Sequence, residues 1–456
     1  MRSLFVLVLV FSWIPAIFYA PYLGVLAWMW VSYMNPHKMA SGMVSTFPVA
    51  EVIAIATLLS WVASREPKSL EMRPIVVLLL VFTAFTTITT IFSVYPGMAW
   101  PKWETFVKVM LFTLIAIPLI NNRFRLHAMI WVMVISCAYF AMRGGLFTAL
   151  SGGAYRVWGP PETFHGDNNG IAMTFLMILP LLRYLQIQSE NRFAWVCFTI
   201  AEVLTVLAVF GTMSRGALVA LTAMTAYLLI RSRRFGTFVL IVAAGALAFY
   251  LMPENMKERQ ATTVSYQQDA SAMGRLTMWR YAIDVANESP IIGGGFNVFY
   301  DNATRQRLLP RNAEGTQDAG RAAHSNYFEV LGEHGYVGLA IYLTILITGF
   351  VTAERTMRKA RKRPDTKWAA DLAYMSQFSL IGFAVAGAFL SKSTFDLYYH
   401  ILAMLVITSI LVEKAQKEPV PETIPPGDPV LSFFLKPRVK GYKPPKYRPG
   451  ATAPGE

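Results

Sequence analysis

The feature that most limits the fold is a repeated one: apolar runs close to the length of a bilayer crossing recur along nearly the whole chain. They fall at 46–64, 73–93, 104–120, 125–145, 169–187, 193–211, 215–231, 236–252, 336–353, 372–390 and 396–412. A hydrocarbon core about 30 Å thick takes a helix of about 20 residues. Backbone in lipid must satisfy its own hydrogen bonds, so each run is expected to be helical. Composition agrees, with 55% hydrophobic and 15% charged residues in 456 and a mean hydropathy of +0.42, well outside the range of an ordinary soluble domain.

Orientation follows from charge. The net charge of +14 does not mark a nucleic-acid binder, because the cations sit in short loops between apolar runs and in the tail. Arg355, Arg358, Lys359, Arg361, Lys362, Arg363 and Lys367 crowd one such loop, and Arg231, Arg233 and Arg234 another, which makes these loops cytoplasmic. If the basic loops at 65–73, 121–127 and 188–192 lie on the same side, residues 35–45 lie on the other. The opening stretch 3–34, broken by Pro15 and Pro21, then crosses once in net, for about twelve spans. Its first 20 residues resemble a signal peptide, but Phe18 occupies the small-residue position and Pro21 follows, so the segment is expected to be retained. Cys137 and Cys197 lie inside apolar runs and read as packing residues. The expected architecture is all-α and polytopic: helices over 1–252, a large periplasmic loop containing helices over 253–335, and helices over 336–412. The proline-rich, lysine-bearing segment 413–456 is a flexible cytoplasmic tail able to touch anionic membrane lipids.

The loop 253–335 is the one outward connection long enough to build structure of its own, so chemistry is expected there. Residues 270–287 have helical periodicity with Met273, Leu276, Trp279, Ile283 and Ala286 on one side, ended by Gly293 and Gly295. Arg215, in Gly-Thr-Met-Ser-Arg-Gly-Ala, and Arg156, in the glycine- and proline-rich connection 151–170, sit on the face where short loops disfavour cations. A membrane-embedded diphosphate would compensate them, and guanidinium is well shaped to hold phosphate oxygens. Arg275 and Arg280 on the loop helix are expected to join them. The plainer reading is that each arginine snorkels to lipid headgroups. At Arg215 the neighbours Ser214 and Gly216 favour close approach of a ligand at a helix start.

His324, where the loop returns to the membrane, is the expected base for an acceptor hydroxyl. His334, His165, His37 and His400 read as packing or interfacial residues. Glu329 and Glu333 are four apart and with His324 and His334 can be drawn as a metal site. No familiar ligand spacing is present, however, and arginines can do a cation's work at a departing diphosphate, so no metal and no cofactor is expected.

Arg275 to Trp279, Pro290, Gly293, Gly295 and His324 to Gly338, together with Ser214, Arg215 and Gly216 and with Arg156, Gly159 and Asn169, resemble the O-antigen ligase and polymerase superfamily of bacterial membrane glycosyltransferases. Asn35-Pro36-His37 is similar to the O-glycosylation ligases that accompany exosortase systems. The resemblance implies a membrane glycosyltransferase C-like fold in the bacterial inner membrane with its site facing the periplasm. It also implies metal-independent, inverting transfer from an undecaprenyl diphosphate-linked glycan. His324 matches the family's base, Arg215 and Arg275 match arginines needed for activity, and Arg156 is a third diphosphate contact. The acceptor is lipid A-core, a protein hydroxyl or a growing repeat-unit polymer; the long polar stretch 302–321 leaves these three open. A lipid-linked oligosaccharide transporter is the rival class, but it calls for ionisable residues near the bilayer midplane, where Glu202 and Asp396 are the few candidates.

Overall fold

The computed structural model describes residues 8, 10–38, 47–161, 163–232, 270–309, 322–421 and 427–434, and among these it is helical with no strand. The helices are α1 Trp13–Tyr19, α2 Tyr22–Met34, α3 Val49–Ala63, α4 Pro74–Ile91, α5 Pro96–Leu119, α6 Arg123–Leu150, α7 Asn168–Ile187, α8 Arg192–Gly211 and α9 Arg215–Ser232. They continue as α10 Ala270–Glu288, α11 Asn302–Leu308, α12 Asn326–Ala360, α13 Lys367–Ala386, α14 Asp396–Lys417 and α15 Pro429–Phe434. Among the described residues seven apolar segments are long enough to cross a membrane, and α2 and α3 are shorter apolar helices. α5 carries Lys102, Glu104 and Lys108, and α9 has an arginine at each end. The expected run 236–252, with Arg233 and Arg234, lies outside the described residues.

The basic loops do gather at one end. Arg73 and Lys359 both reach Glu413, at 2.7 and 2.8 Å, Arg125 pairs with Glu66 at 2.7 Å, and Arg231 with Glu354 at 2.8 Å. Ser60 Oγ, near the end of α3, donates to Ile17 O of α1 at 2.7 Å. α1 therefore ends at this basic end, where Tyr22 at the start of α2 lies under the Arg125 guanidinium at 4.4 Å. At the other end Phe11 packs on Phe47 before α3 at 6.0 Å, and Ser32 at the end of α2 reaches Asp396. Residues 11–34 are a hairpin broken at Ala20 and Pro21, and the expected single crossing is corrected. Small residues bring helices together where lipid supplies no hydrophobic drive. Gly145 of α6 faces the carbonyl of Leu204 on α8, which a Cβ would strike.

The structure defines the inward face of the expected helix α10 and corrects the reading of the tail. On α10 the inward residues are Met278, Tyr281, Ala282, Val285 and Ala286, while Met273, Leu276 and Ile283 are exposed. The phenol of Tyr281 donates to Val298 O at 3.2 Å, turning that stripe onto the loop's own core. The tail, read as flexible, is anchored at 427–434. Buried Asp428 accepts from Trp131 Nε1 at 2.6 Å and lies 3.2 Å from His127 Nδ1, and its own N–H donates to Gln188 O at 2.9 Å. A carboxylate with that many partners holds a short segment that composition alone would leave loose. Residues 422–426 and 435–456 lie outside the described set.

Candidate active site

Opposite the basic end, four connections converge. Val157 N donates to Gly211 O at 2.8 Å, tying the Arg156 connection to the turn between α8 and α9. That turn is tied to the start of α7 by Asn168 Nδ2 to Thr212 O at 3.0 Å and by Ser214 Oγ to Asn169 Oδ1 at 2.6 Å. α7 begins at Asp167, whose Oδ1 accepts from the N–H groups of Asn169 and Gly170 at 3.0 and 2.8 Å, a capping arrangement that supplies two otherwise orphaned donors with an acceptor. The turn between α13 and α14 joins next, because Lys392 N donates to Asn326 Oδ1 at 2.6 Å at the start of α12. Arg215 is the first residue of α9 and is exposed; Arg156 is half-buried, its guanidinium over the Trp158 ring at 5.4 Å.

His324 precedes α12 by two residues and has a left-handed backbone, φ 49°. For a non-glycine residue this costs on the order of 1 kcal/mol and persists only where neighbours enforce it, a pattern common at functional sites. The neighbours here are Trp279, whose Nε1 donates to Ala323 O at 2.8 Å while its ring stacks on Phe328 at 4.8 Å. Arg275 lies one turn before Trp279 and so faces the same way. Although His324 is open to solvent, partial desolvation by the surrounding protein and then the Arg275 guanidinium lower its pKa, with Asp167 and Glu329 opposing. The result is an imidazole that is neutral near pH 7. Arg280 is exposed and stands about 140° around the helix from Arg275. The structure thus draws His324 and Arg275 together, sets the Arg215 and Arg156 turns beside each other, and points Arg280 away.

The carboxylates that could be drawn as a metal site have another occupation. Lys102 of α5 pairs with Glu329 at 2.9 Å and Glu333 at 2.7 Å. Ser393 N donates to Glu329 at 3.0 Å and Asn297 N to Glu333 at 2.7 Å. No cluster of metal-ligating side chains occurs among the described residues. His334 meets Thr89 Oγ1 at 2.7 Å and His165 meets Thr174 Oγ1 at 2.8 Å, both as packing residues; burial pushes the His165 pKa down to about 3.

The glycines also have a structural use. α12 kinks at Gly335 (φ 66°, ψ −171°), a conformation open essentially to glycine alone. The kink frees the carbonyls of Gly332 and Glu333, which accept from Gly294 N and Gly295 N at 2.9 and 2.8 Å, while Tyr336 N turns to Pro290 O at 2.9 Å. The Pro290 to Gly295 stretch is thus a latch that holds the loop to α12. Gly216 likewise serves packing more than ligand approach, since a Cβ there would sit 2.8 Å from Phe389 Cβ.

Two site residues escaped the sequence reading. Lys102 stands in an apolar helix with no cue to its partners. Lys392 was findable, because it is a cation in the short turn between the spans Pro364–Phe389 and Asp396–Lys417, on the same face as Arg215.

Residues 1–190 match the model of a family of unknown function, DUF5935, and residues 200–343 match the O-Antigen ligase family. Over 104 residues the chain is 24% identical to the exopolysaccharide production protein ExoQ of Rhizobium meliloti, covering 22% of this chain and 24% of that one. It is also 22% identical over 258 residues to an uncharacterized protein of Haemophilus influenzae, covering 52% of this chain and 63% of that one. The matched stretches thus span less than two thirds of either relative. Arg215, Arg275 and His324 all fall inside the second match, so the part of this polytopic membrane protein that carries them is the part similar to the O-Antigen ligase family.

Proposed function

We propose that the chain is a membrane glycan ligase. It transfers a saccharide from undecaprenyl diphosphate to an acceptor hydroxyl on the periplasmic side of the inner membrane. The observation that carries this reading is the neutral, strained His324 beside Arg275, at the end of the bundle that also presents Arg215 and Arg156.

In the reaction, an imidazole nitrogen of His324 takes the proton of the acceptor hydroxyl as its oxygen bonds to the anomeric carbon. The bond from that carbon to the phosphate oxygen breaks, and its electron pair leaves on the diphosphate. Attack from the opposite side inverts the centre. Arg215 and Arg275 hold the departing oxygens, Arg156 adds a third contact, and Arg280 serves at most the outer rim. Fixed cations aimed at developing charge do what a divalent ion does in other transferases. The acceptor is lipid A-core or a protein hydroxyl. Extension of a polysaccharide by repeat units is a second reading, favoured by the likeness to an exopolysaccharide production protein.

The test is transfer from lipid-linked glycan to separate acceptors by purified protein. His324→Ala should abolish transfer and leave membrane insertion intact; near-normal turnover in that variant would remove His324 from the mechanism.

A further inference from the structure

Lys392 lies in the turn of residues 390–395, between two crossing helices at the His324 end of the bundle. A cation in so short an outward connection runs against the usual charge bias and calls for an anionic partner. Its backbone is fixed on both sides: Lys392 N is held by Asn326 Oδ1 at 2.6 Å, and Ser393 N by Glu329 Oε2 at 3.0 Å. Glu329 is itself gripped by Lys102. The turn and the start of α12 therefore form one braced unit, and Lys392 keeps a set relation to His324.

Its side chain is not so well held. Nζ lies 3.6 Å from Asp167 Oδ2, and 6.0 Å from the centre of the Phe164 ring. Charge-assisted N–H···O contacts close to about 2.7–2.9 Å when satisfied. Other lysines in this chain reach that range: Lys102 to Glu333 at 2.7 Å, Lys359 to Glu413 at 2.8 Å, and Lys108 to Glu51 at 2.9 Å. Asp167 has its other oxygen committed to the start of α7, so it is a divided partner. A half-buried ammonium with three donors and one loosely placed carboxylate gives up that contact at little cost.

We propose that Lys392 is a further cation of the leaving-group site, exchanging its Asp167 contact for a phosphate oxygen of a polyprenyl diphosphate. The inference rests on the glycosyl-transfer reading above. Asp167 then acts as a counter-ion that competes with the donor for the same ammonium.

The experiment uses the full chain in lipid nanodiscs and measures binding of farnesyl diphosphate and farnesyl monophosphate by calorimetry, with thermal unfolding as the check on folding. Lys392→Ala is expected to weaken the diphosphate about tenfold or more, and the monophosphate about threefold at most, at unchanged melting temperature. Lys392→Gln, which keeps the length, carries the same expectation should the alanine variant fail to fold. Asp167→Asn keeps a capping oxygen while removing the competing charge, so it should tighten the diphosphate about threefold. If Lys392 were only a brace for the turn, both changes would lower the melting temperature and neither would separate the two ligands. Diphosphate binding within about twofold of the parent in Lys392→Ala and Lys392→Gln overturns the proposal. Arg215→Ala locates the failure: if it weakens binding while Lys392→Ala does not, only the role of Lys392 falls; if neither does, the diphosphate site falls with it.

Discussion

Replacing Lys102 by methionine tests how the two matched segments of the chain are joined. Lys102 belongs to α5 in the first segment, and its two partners, Glu329 and Glu333, to α12 in the second, 2.9 and 2.7 Å away. Methionine keeps the stem and drops the charge, leaving two carboxylates side by side, with Glu333 1% exposed. Each then keeps one backbone donor, Ser393 N and Asn297 N. Removing one partner of a buried pair costs about 3–5 kcal/mol, and two stranded carboxylates put this case near the upper end. Lys108 is the internal control: it pairs with Glu51 and Glu104 at 2.9 and 2.7 Å, but those side chains are 41%, 44% and 63% exposed. Losing it should cost about 0–1 kcal/mol. The assay is reversible unfolding by SDS titration in mixed micelles, read by tryptophan fluorescence. A third variant joins Lys102→Met to Glu329→Gln and Glu333→Gln. Its amides still accept the Ser393 and Asn297 N–H groups, so it should recover most of the loss. The reasoning is refuted if Lys102→Met is no more harmful than Lys108→Met, or if the triple variant is no better than the single one.

The pH profile of transfer should fall on the acid side only, below the ordinary imidazole range, because desolvation and Arg275 both favour the neutral ring of His324. Removing one of those causes with Arg275→Gln should raise the pKa and move the acid limb to higher pH; an unmoved limb in single-turnover rates would show that another group titrates. At saturating donor, Arg215→Lys and Arg215→Ala should both lose turnover by about a hundredfold, since an ammonium cannot reproduce the paired guanidinium contact as charge builds on the leaving oxygen. A lysine variant as fast as the parent would make Arg215 a surface cation. Transfer should persist in excess chelator, and a requirement for added Mg²⁺ or Mn²⁺, restored on titration, would overturn the arginine mechanism.

What could be read from the sequence was whatever depends on local chemistry. Apolar run length set the helices, and the bias of Arg and Lys sorted their ends, since both respond to the bilayer residue by residue. The outward cations stood out by the same rule, which brought Arg215 and Arg156 forward and would have found Lys392 had it been applied to the last turn. What the tertiary structure decided was which distant groups share a space. Nothing local says that Lys102 meets Glu329 and Glu333, more than 200 positions away, or that this pairing takes the carboxylates out of contention for a metal. The helix α10 was legible from its periodicity, but its buried face was not, because exposed apolar side chains carry little penalty beside a membrane. Gly293 and Gly295 read from the sequence as the end of a helix. Only the folded backbone shows Gly294 and Gly295 satisfying the carbonyls that the Gly335 kink sets free, a partnership made by three-dimensional closure and invisible to any local pattern.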